Sequence, residues 1–269
     1  MKKIKAYTEA NRLAWNEVMP LHQKANHHKW DDAFSTPGFA ALDNTELEVL
    51  EAIGIAGKAI AHLCCNNGVE LMSLKRLGAH RCVGFDISDA AIEEAVIRSE
   101  KFDIDCQFVQ TDVYEISEEY YGCFDLVYIS VGCLGWLPDI RLFFEKVSLL
   151  LNDTGALFIY EMHPFTAMLP TDSDTDADPL KIIAPYFKKE PYAENSGIDY
   201  VGKTTYESQT QYWFVWTLSE IMMAIIENGM QIKWFDEYSK DIGAVHQRNM
   251  NSGISMPLSY TLVAEKNSK

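Results

Sequence analysis

The sequence predicts an α/β protein built on one mostly parallel sheet with helices on both faces. Between Lys58 and Pro164, short apolar runs typical of buried strands alternate with helical segments of about 10 to 15 residues. The chain has 269 residues, of which 48% are hydrophobic, enough for a sizeable core. After Pro164 the alternation stops, and patterns typical of antiparallel strands follow.

Each element of the alternating region has its own sequence signal. The predicted strands are "KAIAHLCC" (58–65), "RCVGFDIS" (81–88), "CQFVQTDV" (106–113), "CFDLVYISVG" (123–132) and "ALFIYEMHP" (156–164). The predicted helices are "GVELMSLKRLGA" (68–79), "DAAIEEAVIRSEKF" (89–102) and "IRLFFEKVSLLL" (140–151). Gly78 is expected to end the first of these helices, and Ser88 or Asp89 to cap the second. "NDTG" (152–155) is expected to be the turn before the fifth strand.

Neither end of the chain shows this alternation of strands and helices. Residues 1–50 have helical periodicity and are rich in Tyr, Trp and His. "KTTYESQTQYWFVW" (203–216) is typical of a strand from an antiparallel hairpin, "LSEIMMAIIENGM" (218–230) of a helix, and "QIKWFDEYS" (231–239) and "LSYTLVAEK" (258–266) of closing strands. We predict a single domain with a cap or lid (1–45), a ligand-binding core (46–164), an inserted substrate-side segment (165–216) and a closing helix and strands (217–269).

Charge and composition limit the substrate classes, the cellular location and the metal sites that are expected. The formal net charge of −16, without a dense Lys/Arg cluster, disfavours nucleic acid or an anionic membrane and favours a small-molecule substrate. No apolar run is long enough to span a bilayer, and the N-terminus lacks a signal-peptide core, so a cytoplasmic location is expected. The six cysteines are then expected to be free thiols. No metal is predicted, because Cys64-Cys65 has no second pair and the acidic run 172–178 lacks the glycine and glutamate of a calcium loop.

Polar and small residues follow the ends of the predicted strands. Asp86 ends the second strand, 18 positions after Gly68, close to the spacing of a carboxylate that binds ribose hydroxyls. Ile87 could pack on an adenine, and Asp112, at the end of the third strand, could accept from its amino group. Ser130–Gly132, after the fourth strand, are small enough for close ligand approach. Since ligands of such sheets bind at the carboxyl ends of the strands, these residues predict one nucleoside-binding site.

Together these features resemble the class I S-adenosylmethionine-dependent methyltransferases, well over residues 55–165 and more loosely to the C-terminus. The resemblance implies a Rossmann-like, doubly wound, mainly parallel seven-stranded sheet, S-adenosylmethionine as cofactor, and methyl transfer. The first motif of the family is Asp/Glu-Leu-Gly-Cys-Gly-Thr-Gly, and the corresponding residues here are His62-Leu63-Cys64-Cys65-Asn66-Asn67-Gly68. Asn tolerates left-handed backbone angles, so Asn66 or Asn67 can replace a turn glycine. The missing glycines count more against a pyrophosphate cofactor such as NAD than against S-adenosylmethionine, because a phosphate needs bare backbone amides at a helix N-terminus.

The resemblance and the strand ends together define the expected site. The expected cofactor-binding residues are Tyr7, Trp15, His62, Cys64, Asn66, Asn67, Gly68, Asp86, Ile87, Ser88, Asp112, Val113, Ser130, Val131 and Gly132. The expected substrate-binding residues are Trp30, Trp136, His163, Tyr212, Trp213 and Trp216. His163, just past the fifth strand, is the candidate general base, and a structural role for it remains open.

The molecule that accepts the methyl group is the least determined part of the prediction. The Asn/Asp-Pro-Pro-Tyr tetrapeptide of DNA amino-methyltransferases does not follow the fourth strand, so a small molecule methylated at O, N, S or C is expected. Two alternatives stay open, because fold does not settle function. One is a non-catalytic protein that binds S-adenosylmethionine or S-adenosylhomocysteine, and the other is a nicotinamide-dependent oxidoreductase. The oligomeric state is not predicted.

Overall fold

A seven-stranded sheet forms the centre of the molecule. The computed structural model describes residues 2–26 and 28–267; Met1, Ser268, Lys269 and His27 of the predicted cap lie outside that description. The strands of the sheet are β1 Ala59–Leu63, β2 Arg81–Asp86, β3 Gln107–Gln110, β4 Phe124–Ile129, β5 Leu151–Met162, β8 Met230–Tyr238 and β9 Ser259–Lys266. A separate two-stranded sheet is formed by β6 Tyr192–Glu194 and β7 Gln211–Trp213.

The strand order of the large sheet is β3-β2-β1-β4-β5-β9-β8. The first five strands run parallel, and β9 is antiparallel to both of its neighbours, β5 and β8. The predicted mainly parallel seven-stranded sheet is therefore confirmed. The chain winds outward in one direction from β1 to β3 and in the other from β4 onward, so the topological switch point lies between β1 and β4. Ligands of such sheets bind beside the carboxyl ends of the strands at this point.

Helices cover both faces of the sheet. They are α1 Lys2–Ala25, α2 Lys29–Phe34, α3 Asn44–Ile53, α4 Val69–Arg76, α5 Asp89–Lys101, α6 Ile140–Leu150, α7 Leu218–Glu227 and α8 Gln247–Met250. Local signals fix their starts: the Ser88 hydroxyl accepts from the Ala91 amide at 3.2 Å, and Thr217 and Glu220 form a capping box on α7. None of the helices in the described residues has the length and apolarity to cross a membrane.

Two apolar layers enclose the sheet because strand residues alternate between its faces. On one face, Ala61 and Leu63 pack with buried side chains of α6 and α7 such as Phe143 and Ile225. On the other, Ile60 packs with buried residues of α3 and α4. All six cysteines are free thiols, as expected, and three of them, Cys65, Cys82 and Cys133, are buried.

Two boundaries differ from the sequence prediction. The "NDTG" segment is not a turn before β5 but a bulge within it, because Leu151 already pairs with Phe124 before the register shifts to Ala156 opposite Leu126. In the inserted segment only Gln211–Trp213 of the predicted long strand pairs, with Tyr192–Glu194. Residues 203–210 form no strand, since alternation alone does not supply a partner strand.

Candidate functional site

The turn after β1 contains three left-handed residues. Cys64 has φ 55°, Asn66 φ 47° and Gly68 φ 73°. These positions correspond to the three glycines of the motif Asp/Glu-Leu-Gly-Cys-Gly-Thr-Gly, so the backbone path that glycine usually permits is made here by a cysteine and an asparagine. The predicted substitution of a turn glycine by asparagine applies to Asn66. The left-handed conformation of Cys64 was not foreseen, because cysteine has no special preference for it.

Gly68 is required for space as well as for its backbone angle. It is the N-cap of α4, and its amide donates to the Cys65 carbonyl at 2.9 Å. A Cβ at Gly68 would lie 2.4 Å from the Phe108 ring. Gly68 therefore lets α4 start against β3, directly after the turn.

Asp86, at the end of β2, ties the turn to the second strand. One carboxylate oxygen accepts from the Asn66 amide and the other from the Ser88 amide, each at 2.8 Å. Burial raises the pKa of Asp86, and the hydrogen bonds from Ser88 and Asn66 oppose that rise. Each oxygen keeps a lone pair, so the group can also accept from a vicinal diol. The donor and acceptor set therefore fits a ribose.

The end of β3 is less exposed than the sequence suggests. Asp112 caps the short 3-10 helix Val113–Glu115 and accepts from the Tyr114 amide at 3.0 Å. Val113 is buried, while Ile87 and Asp112 are half-buried. Ile87 and Asp112 therefore remain accessible to an adenine ring.

Two of the expected side chains make protein contacts instead. Asn67 donates to Glu94 at 3.1 Å, and Ser88 donates to Asn16 of α1 at 2.7 Å. Their side chains bind α5 and α1, so a ligand would meet these residues through their backbone.

Residues Ser130–Leu134, here called the post-β4 loop, form the other side of the switch point. Gly132 has φ 86°, with nothing within 4 Å of a Cβ placed on it. Val131 is 38% exposed. Glu161 of β5, which sequence reasoning missed, accepts from the Gly132 amide at 2.7 Å and from the Leu134 amide at 3.1 Å.

The side chain of His62, an expected cofactor-binding residue, lies inside the protein. It is fully buried, and its Nε2 lies 3.0 Å from the Ser130 hydroxyl. Burial lowers the pKa of His62 to about 3, so the ring is neutral. A neutral histidine therefore occupies the position of the acidic residue in the family motif, and its contact is with Ser130 of the post-β4 loop. Sequence reasoning could not see this, because the direction of the ring depends on α3 and α4.

A cavity of about 200 Å³ opens beside the post-β4 loop. It is lined by Ala41, Asp43, Glu46, Glu70, Tyr128, Ser130, Val131, Tyr160 and Ile242. Burial raises the pKa of Glu46 to about 8 and that of Glu70 to about 7. The Tyr128 hydroxyl donates to Glu46, and Lys240 binds Asp43 at 2.8 Å. The cavity thus presents hydrogen-bond acceptors, two of which can exchange a proton near neutral pH.

Neither glutamate was predicted. Glu70 lies two residues beyond Gly68, so its place in the first turn of α4 was a usable signal. Glu46 had no such signal, since it reaches the cavity only through the packing of α3.

Helix α1 crosses the carboxyl ends of the strands. Asn16 bonds Ser88 and Asp89, and Arg12 forms an ion pair with Asp89, at the start of α5. Asn11 accepts from the Tyr212 amide at 2.7 Å and donates to the Tyr212 carbonyl at 3.0 Å, which fixes α1 to β7. Described residues of the predicted lid therefore lie over the strand ends.

An aromatic wall joins α1, β7 and the short 3-10 helix Leu134–Trp136. The ring centroids of Tyr7 and Tyr212 are 4.6 Å apart, those of Trp15 and Trp136 5.4 Å, and those of Trp136 and Trp213 5.0 Å. The structure therefore brings together five of the expected aromatic residues.

Trp30 and Trp216 lie apart from this wall. Trp30 packs with Phe34 and Val69 in a separate cluster, because α2 docks beside α4. Trp216 packs against the core, and its Nε1 donates to the Leu137 carbonyl at 3.0 Å. Both side chains have structural partners away from the aromatic wall, and their contact with a substrate stays a prediction.

His163 has both ring nitrogens in protein contacts. Its Nδ1 accepts from the Phe165 amide at 3.0 Å, and its Nε2 lies 2.8 Å from a Glu237 oxygen. Burial lowers the pKa of His163, and Glu237 opposes this effect. Nδ1 is thus occupied by a backbone amide, while Nε2 is buried beside the Glu237 carboxylate without a hydrogen bond of good geometry. These contacts favour the structural role that the sequence left open for His163, and β8 supplies the neighbouring carboxylate, which the sequence does not reveal.

A doubly wound sheet, a glycine-capped helix after β1 and a carboxylate at the end of β2 define the class of α/β proteins that bind a nucleoside cofactor. Residues 60–155 match the family described as "Methyltransferase domain". Residues 60–155 therefore form a methyltransferase domain, for which S-adenosylmethionine is the cofactor.

Solved structures agree with this fold. An S-adenosylmethionine-dependent methyltransferase from Mesorhizobium loti is similar with 21% identity and a TM-score of 0.60, over 82% of this chain and 97% of that chain. The magnesium protoporphyrin IX methyltransferase from Synechocystis, with bound S-adenosylhomocysteine, is 14% identical with a TM-score of 0.51. The match covers 91% of this chain and 84% of that chain. The [4+2]-cyclase SpnF is 12% identical with a TM-score of 0.56, and the match covers 87% of this chain and 86% of that chain. At these identities the likeness concerns the fold.

Proposed function

We propose that this protein transfers the methyl group of S-adenosylmethionine to a small molecule bound in the cavity beside the post-β4 loop. The observation that carries the proposal is a cavity of about 200 Å³ beside the post-β4 loop, at the carboxyl ends of β4 and β5. A space of this size suits part of a small molecule rather than a macromolecular chain. The net charge of −16 supports the same acceptor class.

The cofactor residues follow from the geometry of the strand ends. Asp86 accepts from the ribose hydroxyls, Ile87 packs against the adenine, and Asp112 accepts from its amino group. The turn 64–68 and the post-β4 loop bind the methionine part, where left-handed Cys64 and Asn66 keep side chains out of the way. When bound, S-adenosylmethionine supplies a methyl group on a positively charged sulfur.

The acceptor side uses the cavity carboxyls. Glu46 and Glu70 accept hydrogen bonds from an amine or hydroxyl of the acceptor, and either one can take up a proton near neutral pH, because burial raises the pKa of each. The aromatic wall does not line this cavity; together with α1 it covers the neighbouring strand ends and excludes water from them. Residues 1–45 act as the lid, 46–164 as the cofactor core, 165–216 as the substrate-side insertion and 217–269 as the closing unit.

A labelling experiment tests the proposal. The purified protein is incubated with S-adenosylmethionine carrying a labelled methyl group and with a cell extract separated into small-molecule, protein and nucleic-acid fractions. Label is expected in the small-molecule fraction, and it should be lost with Asp86→Asn. Label confined to protein or nucleic acid, or no label in any fraction, would overturn the proposed acceptor class.

A further inference from the structure

Glu161 is a buried carboxylate with backbone partners only. It is 5% exposed, and besides Gly132 and Leu134 it accepts from its neighbour Met162 at 2.8 Å. Within residues 2–26 and 28–267, no lysine, arginine or histidine pairs with it. Burying a carboxylate without a cation is costly, and an apolar residue of similar volume would serve the core better. The carboxylate therefore contributes something other than stability.

Its partners lie in the loop that borders the switch point. Gly132 and Leu134 both belong to the post-β4 loop, and Gly132 has the left-handed φ of 86°. The same loop places Ser130 and Val131 in the wall of the cavity. On the other side His62 contacts Ser130, so two buried side chains from β1 and β5 fix the loop from both ends.

We propose that Glu161 is a positioning residue for the methyltransferase site, which fixes the post-β4 loop in the shape that the cofactor needs. This inference rests on the proposed placement of the cofactor against that loop. Two backbone amides point at one carboxylate, so the loop is shaped before the ligand arrives, and preorganisation of this kind lowers the cost of binding. Glu161 itself does not touch the cofactor or the acceptor.

Glutamine at this position would break the arrangement without changing its volume. An amide group has one acceptor oxygen and one donor NH₂, so one of the two loop amides would face a donor. The matched control is Asp125→Asn, because Asp125 accepts from the Ala59 amide at 2.7 Å and from Asn152 at 2.8 Å, at the opposite end of β4. Both variants lose a carboxylate that accepts from the backbone, but only one borders the site.

The first readout is the affinity for S-adenosylhomocysteine, measured by titration calorimetry together with the thermal midpoint. We expect Glu161→Gln to weaken binding about tenfold, which corresponds to about 1.4 kcal/mol. Asp125→Asn should lower the thermal midpoint but leave the affinity within about twofold. Equal affinities in wild type and Glu161→Gln, or equal losses in both variants, would overturn the positioning role.

The second readout uses the unmodified protein and does not depend on a variant that folds. Burial raises the pKa of Glu161 to about 7. The groups that face it titrate elsewhere: burial raises the pKa of Tyr260 on β9 and of Cys133 in the loop well above their usual values, and it lowers that of the nearby His163. The amide resonances of Gly132 and Leu134 should therefore shift together near pH 7 in nuclear magnetic resonance spectra.

Amides of Gly132 and Leu134 that do not titrate together would overturn the inference. Neither readout needs a methyl acceptor. A protein that methylates no small molecule but shows the binding loss and the joint titration would contradict the proposed acceptor and leave the role of Glu161 intact.

Discussion

At the residue scale, the turn after β1 shows how a glycine motif can be replaced. Cys64 and Asn66 have the left-handed angles that glycine adopts freely, and each side chain adds strain that the surrounding bonds must offset. The Asn66 amide donates to Asp86, and the Cys65 amide donates to the Phe85 carbonyl at 3.1 Å. Bonds to β2 on both sides of the turn therefore stabilise it. Gly68 was not replaceable in this way, because Phe108 occupies the space of a side chain.

Gly68→Ala should destabilise the protein by about 1–3 kcal/mol, because the new Cβ overlaps the Phe108 ring. Urea unfolding measures the change. Adding Phe108→Leu should restore part of the loss, since it removes the clash but not the strain at φ 73°. A double variant with the summed losses of the two single variants would show that the ring is not the cause.

Asp86→Asn should weaken S-adenosylhomocysteine binding by about 1.5–3 kcal/mol, the usual loss for a hydrogen bond to a charged group. The amide can accept from only one of the two backbone donors, so a smaller loss of stability is also expected. Calorimetry measures the affinity, and Asp153→Asn, at an exposed position of β5, is the control. An affinity equal to that of wild type would remove Asp86 from the ribose site.

At the element scale, α1 is the part whose position most affects the site. It has 24 residues and contacts the ends of three other elements, through Asp89 of α5, Tyr212 of β7 and Glu115 of the 3-10 helix after β3. Much of this attachment is polar and half-exposed, which is typical of elements that can open. We infer that α1 must move to admit the cofactor.

Asn16→Ala should loosen α1, because Asn16 bonds both Ser88 and Asp89. We expect protease to cut near Trp15 faster in the free variant than in the free wild type, and S-adenosylhomocysteine to slow cleavage in both. Gln23→Ala, on the same helix but without these bonds, is the control. Cleavage that saturating ligand leaves unchanged would contradict a lid.

At the scale of the whole molecule, buried carboxyls make stability depend on pH. Burial raises the pKa of Glu46 to about 8 and those of Glu70 and Glu161 to about 7, from an ordinary value of 4.5. In the unfolded chain these groups ionise near their ordinary value, whereas the folded protein retains the protons. Their contribution to stability is therefore complete below pH 4.5 and is lost as the pH rises towards 7 or 8.

Glu46→Gln should remove the largest part of this dependence. We expect the free energy of unfolding of wild type, relative to the variant, to fall by up to about 1.4 kcal/mol for each pH unit between about pH 5 and pH 8. The other carboxyls cancel in this difference, and Glu51→Gln on the exposed side of α3 is the control. A difference that stays constant across this range would mean that Glu46 ionises at its ordinary pKa.

The sequence by itself determined what depends on neighbours along the chain. Strands, helices and caps follow from periodicity and from residues three or four apart, such as Ser88 and Ala91. The order of strands and helices also implied the switch point, and with it Asp86 and the turn 64–68. This is why the fold and the cofactor could be predicted.

Only the tertiary structure decided the contacts between distant segments. Glu161 meets Gly132 across 29 positions, and Tyr128 meets Glu46 across 82. His163 has Glu237 as its partner because β8 lies antiparallel to β9. Whether a polar side chain is buried, paired or open to a ligand depends on which elements pack around it, and that packing is a property of the whole chain rather than of any local pattern.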